Sequence, residues 1–190
     1  MKSLTAFILC GGKSSRMRSE KGLVLFQKKP FIEHIIQAIL PVTENIYLVT
    51  NTKEYDYLPY QKLADIIKDK GPLGGIYTAL TNSETEFNLI LSCDIPLIST
   101  ELLSELISKH NQEAWVTVFA SASRMHPLIG LYSKEILPDI KNAIDTDQLK
   151  LMDLIAKVSH QIIKIEESDN LPLTNINSAD ELDNLNINLS

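Results

Sequence analysis

Apolar residues along the chain fall into two alternating patterns. Short continuous runs such as Phe7-Ile8-Leu9 and Leu89-Ile90-Leu91 are what strands covered on both faces require, and runs of this kind predict strands over residues 4–10, 45–50, 62–67, 87–92, 114–120 and 161–165. Between them the spacing becomes that of an amphipathic helix. Phe31, Ile32, Ile35, Ile36, Ile39 and Leu40 follow Pro30; Leu102, Leu103, Leu106 and Ile107 follow Ser99; Leu149, Met152, Leu154 and Ile155 lie near the end. Ser99, with Glu101 and Glu105 close behind, suits a helix N-terminus. Strand and helix alternate through the first two thirds, which predicts an α/β fold with a mostly parallel central sheet. No internal repeat is visible, and the Asn-rich stretch over residues 183–190 is expected to fray.

Composition narrows the function classes. The 190 residues, 44% hydrophobic and 22% charged, match one folded domain over 1–190 that holds together without disulfides or a structural metal. A net charge of −6 leaves no electrostatic footprint for wrapping nucleic acid or coating a membrane, so an anionic ligand must be met by a local cluster of donors. Cys10 and Cys93 lack CxxC spacing, which argues against a disulfide scaffold or a zinc knuckle and for a reducing, cytoplasmic setting. No apolar run approaches the ~20 residues of a membrane span, and Met1-Lys2-Ser3 leads straight into the first predicted strand without a signal-peptide pattern.

The densest candidate chemistry is Leu9-Cys10-Gly11-Gly12-Lys13-Ser14-Ser15-Arg16-Met17-Arg18-Ser19-Glu20-Lys21, directly after the first strand. Glycines let backbone N–H groups converge on phosphate oxygens, and the cations neutralise the remaining charge. It is not a P-loop, because the first glycine of that motif would fall at Phe7, and it is not a dinucleotide fingerprint, because no glycine lies between Gly12 and Gly22. Taken alone, it reads equally as a solvated basic surface loop. The second signal is Asp94 in Ser92-Cys93-Asp94-Ile95-Pro96. A carboxylate beyond the C-terminal end of a buried strand points where α/β sheets bind ligands, and such a group is a natural Mg²⁺ ligand beside phosphates or else a plain cap. Asp65 at another strand end, followed by Asp69-Lys70-Gly71-Pro72-Leu73-Gly74-Gly75, would place a helix N-terminus at the same site. His126, within Arg124-Met125-His126-Pro127-Leu128-Ile129-Gly130, reads more readily as a structural histidine than as a base. Asn175-Ile176-Asn177-Ser178 reads as a cap before a final helix.

In combination these segments resemble the molybdenum cofactor guanylyltransferase family, within the larger group of Rossmann-like nucleotidyltransferases, along essentially the whole chain. The family's LAGGxSxRMGxxK opening corresponds to residues 9–21, its GPLxGI to 71–76, its CDxP to 93–96, its HPLxGLY to 126–132 and its NxNTPEEL to 175–182. Cys10 stands where Ala is usual and Arg18 where Gly is usual; the latter puts the local loop shape in question. The resemblance implies a three-layer Rossmann-like fold and transfer of GMP from GTP to molybdopterin, with or without molybdenum, releasing pyrophosphate with Mg²⁺ as cofactor. It implies nucleotide contacts at Leu9, Cys10, Gly11, Gly12, Lys21, Asn51, Asp65 and Asp94, and Mg²⁺ on Asp94. Arg16, Lys21 and Asp94 would carry catalysis, and His126, Asn175 and Asn177 would line the acceptor side. Gly11, where CTP-using relatives tend to carry Ala, leaves room for a purine. Transient contacts with proteins that deliver or receive the cofactor are also expected. The competing readings are a pterin cytidylyltransferase, a sugar-1-phosphate nucleotidyltransferase, or a catalytically silent GTP-binding protein.

Overall fold

The computed structural model describes residues 4–11, 20–122, 124–166 and 171–188. Among these, the strands β1 (Thr5–Leu9), β4 (Ile46–Val49), β5 (Gln61–Leu63), β6 (Phe87–Ser92), β7 (Val116–Ala120), β8 (Met125–Ser133) and β9 (His160–Lys164) form one sheet in the order β5-β4-β1-β6-β8-β7-β9. β8 runs antiparallel to both of its neighbours, and the remaining pairings are parallel. This is the mostly parallel α/β sheet that the alternation of patterns predicts.

The period-2 alternation sorts side chains onto two faces. Ala6 and Ile8 of the first strand with Cys10 just beyond it, and Leu89 and Leu91 of the central one with Cys93 just beyond it, pack with α1 (Phe31–Ile39) and α3 (Thr100–Lys109). Phe7, Leu9 and Ile90 face the other way, onto α2 (Gly71–Asn82), α4 (Leu137–Asp145) and α5 (Leu151–Ile155). Three layers result because each face of the sheet is apolar and must be covered. Ser99 caps α3, its hydroxyl accepting from Leu102 N–H at 3.3 Å, as the sequence suggests.

The structure departs from the sequence expectations in several places. The strand expected over 62–67 ends at Leu63, because side chains claim the next amides: Asp65 N–H donates to Asn51 Oδ1 (3.0 Å) and Ile66 N–H to Thr78 Oγ1 (3.0 Å). The strand β8 is absent from the predicted set, since Pro127 and Gly130 both argue against a central strand. Gly130 stays in register with Val118 and Ile90, whereas Pro127 is accommodated by an irregularity in which the next residue, Phe119, pairs with His126, leaving Pro127 outside the regular ladder. The C-terminal stretch expected to fray is helical in α6 (Ala179–Asn188), with Leu185 buried against Phe26, Phe31 and Ile176. Phe26 belongs to a short hairpin, β2 (Leu25–Phe26) and β3 (Lys29–Pro30), whose turn residues Gln27 and Lys28 both have positive φ (48° and 67°). That small cluster anchors the C-terminal segment beside the carboxyl ends of the strands.

Candidate functional site

The carboxyl ends of β1, β4, β5 and β6 open onto a cleft of ≈ 650 Å³, within the size range of small-molecule sites. It lies where the chain, having run from β1 to β4 and β5 on one side, crosses to β6 on the other, the usual place for a ligand in an open α/β sheet. Leu9, Cys10 and Gly11 form its floor, Asn51 and Asp65 one wall, Lys21 and Asp94 the other, and Gly71 and Pro72 bring in the start of α2. Gly12 and Arg16, both expected at this site, lie outside the described residues, as does Arg18.

Close backbone approach fixes these positions. A Cβ on Gly74 would meet the Ile67 carbonyl oxygen at 2.8 Å, so glycine lets α2 press against the loop that carries Asp65. Thr78, fully buried, ties the same loop down by accepting from Ile66 N–H while donating to Gly74 O at 2.9 Å. Asn51 and Asp65, from adjacent strand ends, close a two-bond pair: Asn51 Nδ2 donates to Asp65 Oδ2 (2.7 Å) and Asp65 N–H returns to Asn51 Oδ1. One carboxylate oxygen of Asp65 takes no part in that pair.

On the opposite wall, Lys21 Nζ sits 3.0 Å from Asp94 Oδ2 and donates to Asn177 Oδ1 at 2.7 Å. Asn175 Nδ2 donates to Asp94 Oδ1 at 2.6 Å, and Ile176 N–H to the Asp94 carbonyl at 2.8 Å. The segment from Asn175 to Asn177 thus wraps Asp94, held there by the burial of Ile176 and by a capping arrangement in which Ser178 Oγ accepts from Glu181 N–H and Glu181 accepts from Asn177 N–H. The structure brings Lys21, Asp94, Asn175 and Asn177 together. It places His126 in β8 opposite Phe119, 3% exposed and outside the lining of the cleft.

The donor set suits a hard cation. Among the described residues no group of three or more His, Cys, Asp or Glu converges; Asp94 and Asp65 stand on opposite walls of the cleft, which fits the Mg²⁺ habit of taking one or two carboxylates and completing its shell with phosphate oxygens and water. It does not favour a soft metal: Cys10 lies at the floor, but burial pushes its thiol well above the ordinary range and keeps it protonated. Lys68 and Lys70 also line the cleft, Lys70 Nζ being held 2.9 Å from Asp147 Oδ1. Sequence reasoning did not single out Lys68 or Tyr55 for this neighbourhood; neither belongs to one of the segments quoted for their chemistry.

The model of the MobA-like NTP transferase domain matches residues 6–162. The chain belongs to this family. A protein of Flavobacterium johnsoniae named "Probable molybdenum cofactor guanylyltransferase" is 77% identical over 190 residues, covering 100% of each chain. The molybdenum cofactor guanylyltransferase of Vibrio campbellii is 30% identical over 178 residues, covering 92% of this chain and 91% of its own. In fold the chain is similar to molybdopterin-guanine dinucleotide biosynthesis protein A of Archaeoglobus fulgidus, with a TM-score of 0.84 at 18% identity over 97% of this chain and 98% of that one. These findings agree with the resemblance read from the sequence motifs, and the domain is that of a nucleotidyltransferase. Among the described residues no helix is long and apolar enough to cross a membrane.

Proposed function

We propose that this MobA-like domain is a molybdenum cofactor guanylyltransferase that moves GMP from GTP to the terminal phosphate of molybdopterin, with or without molybdenum. The observation that carries the reading is the clustering of Lys21, Asp94, Asn175 and Asn177 on one wall of a cleft whose other wall is the Asn51–Asp65 pair. GTP lies across the floor, its base against Leu9, Cys10, Gly11 and Asp65. The absence of a side chain at Gly11, where a Cβ would meet nothing within 4 Å among the described residues, leaves space for a purine. The free carboxylate oxygen of Asp65 is an acceptor for the N–H groups on the edge of guanine.

In the reaction an oxygen of the acceptor phosphate forms a bond to the α-phosphorus of GTP, the bond from that phosphorus to the bridging oxygen breaks, and pyrophosphate leaves with the electron pair. The attacking phosphate is already ionised, so no side chain has to remove a proton, and His126 needs no role as a base. Positioning and charge stabilisation do the work. Asp94 would hold Mg²⁺, which when bound would neutralise charge on the phosphates. Lys21 is kept beside the reacting groups by its bonds to Asp94 and Asn177, and it stabilises the departing pyrophosphate together with Arg16. Asn175 and Asn177 frame the acceptor side. Two free, buried cysteines are in keeping with a reducing, cytoplasmic setting, where the partners would be the proteins that deliver molybdopterin and receive the product.

The test is pyrophosphate release from GTP or CTP, with molybdopterin as acceptor, in the presence and absence of Mg²⁺. Release from GTP that requires Mg²⁺ and falls by at least about a hundredfold in Asp94→Ala is expected. Release that prefers CTP would move the assignment to cytidylyl transfer. Release unchanged in Asp94→Ala would overturn the placement of the metal.

A further inference from the structure

Asp94 ends the central strand of the sheet, and the two flanks beside it differ. Toward β1, β4 and β5 lies the cleft that accommodates a nucleotide. Toward β8 and β7 a row of side chains leads outward: Arg124 Nη2 donates to Asn175 Oδ1 at 2.9 Å, and Asn175 Nδ2 donates to Asp94 Oδ1 at 2.6 Å. A guanidinium can only donate and a carboxylate can only accept, so the amide of Asn175 has a single orientation that satisfies both neighbours. Arg124 itself is set by the tight turn between β7 and β8, in which Ser121 N–H donates to Arg124 O at 2.9 Å and Arg124 N–H to Ser121 Oγ at 3.3 Å. It is exposed, and among the described residues its guanidinium has no partner besides Asn175, a bond that uses one of its five N–H donors.

The charges on this flank call for such a group. An incoming phosphate approaches both a nucleoside triphosphate and the Asp94 carboxylate, while Lys21 is already engaged by Asp94 and Asn177. A planar guanidinium with one corner held and its other edge free matches two oxygens of a phosphate in a way that a point charge does not.

We propose that Arg124 is the residue that recognises the acceptor phosphate, its free edge taking two phosphate oxygens while Nη2 remains on Asn175. This rests on the transfer reaction proposed above. It assigns the acceptor's approach to the flank of Asp94 that carries β8 and β7, opposite the nucleotide, with Asn175 transmitting the position of Arg124 to Asp94.

The experiment is steady-state kinetics of Arg124→Ala and Arg124→Lys with GTP and molybdopterin varied separately, alongside the thermal shift produced by GTP. Arg124→Ala should raise KM for molybdopterin roughly ten- to a hundredfold while KM for GTP and the GTP-induced shift stay at wild-type values. Arg124→Lys, which keeps the charge but loses the fork, should fall between. Arg124 is exposed, so both variants should keep the wild-type unfolding midpoint without ligand, and Arg124→Lys carries the test if the alanine variant does not. An unchanged KM for molybdopterin overturns the assignment, as does a fall in kcat without that rise, which would leave Arg124 only holding Asn175. Absence of transfer by the wild-type protein would instead overturn the reaction itself.

Discussion

At the scale of single residues, Gly22 controls where Lys21 stands. A Cβ there would lie 2.8 Å from the Tyr55 hydroxyl and 3.2 Å from Cys93 Cβ. Tyr55 is fully buried and cannot retreat, and its hydroxyl, pressed against the Gly22 backbone, makes no well-formed hydrogen bond among the described residues. Burial first, and then the neighbouring thiols, push its phenol upward, so it stays a neutral steric wall. Gly22→Ala is therefore expected to cost about 1–3 kcal/mol by overpacking and to shrink the GTP-induced thermal shift by displacing Lys21 from Asp94. Adding Tyr55→Phe should recover part of both losses, because it removes the obstructing oxygen. Gly22→Ala with wild-type stability and an unchanged shift would refute this. The glycine-rich run and the acid after the central strand were legible in the sequence because their residue types are unusual for their positions. Tyr55 was not, since an aromatic in a polar loop carries no sign of which backbone it will back. Nor was the convergence of Asn177 on Lys21, two residues 156 positions apart in the chain.

At the scale of elements, the helices and strands with unbroken periodicity were legible. Those written against local rules, such as β8 with its Pro127 and Gly130, were hidden until the register with β7 was known. The polar composition near the C-terminus likewise hides a contact: Leu182 and Leu185 pack against the cluster of Phe26 and Phe31. The contact between α2 and the loop after β5 shows how an element positions the site. Thr78 Oγ1 accepts from Ile66 N–H, one residue beyond Asp65, and Thr78 is fully buried. Thr78→Val keeps the shape and removes the acceptor, so it should lower unfolding free energy by about 1 kcal/mol and weaken GTP binding through Asp65, whereas Thr78→Ser should restore both. Denaturant midpoints and GTP-induced shifts check this. A valine variant as stable as the wild type would show that the loop is held by other means.

At the scale of the whole molecule, the two ends of the sheet are specialised. The carboxyl ends carry the cleft, while the amino ends are closed by buried polar groups, with Thr85 Oγ1 at 3.1 Å from Thr5 Oγ1 and 2.9 Å from Asn88 Oδ1, and by His110. His110 Nδ1 lies 2.8 Å from Thr117 Oγ1, whose own proton goes to Gln161 Oε1 at 3.2 Å, so the imidazole must donate from Nδ1. Its Nε2 is left buried without a hydrogen-bond partner among the described residues, and its ring meets Phe87 at 4.3 Å. A proton added at Nε2 would be an unsolvated charge. Burial accordingly holds the imidazole below its ordinary pKa of 6.5, against an opposing pull from Glu86. Between that depressed value and the 6.5 of the unfolded chain, the unfolded state binds more protons, so stability rises with pH across this window and is lost as pH falls through 6.5. Chemical denaturation across a pH series should show this acid limb in the wild type. In His110→Gln, which retains an amide able to donate to Thr117, the slope over the same window should flatten by up to about one proton. Carboxylates common to both proteins contribute equally, so the difference between the two curves isolates His110. Parallel curves through the window would mean that the imidazole gains a proton as readily in the folded protein as in the unfolded chain.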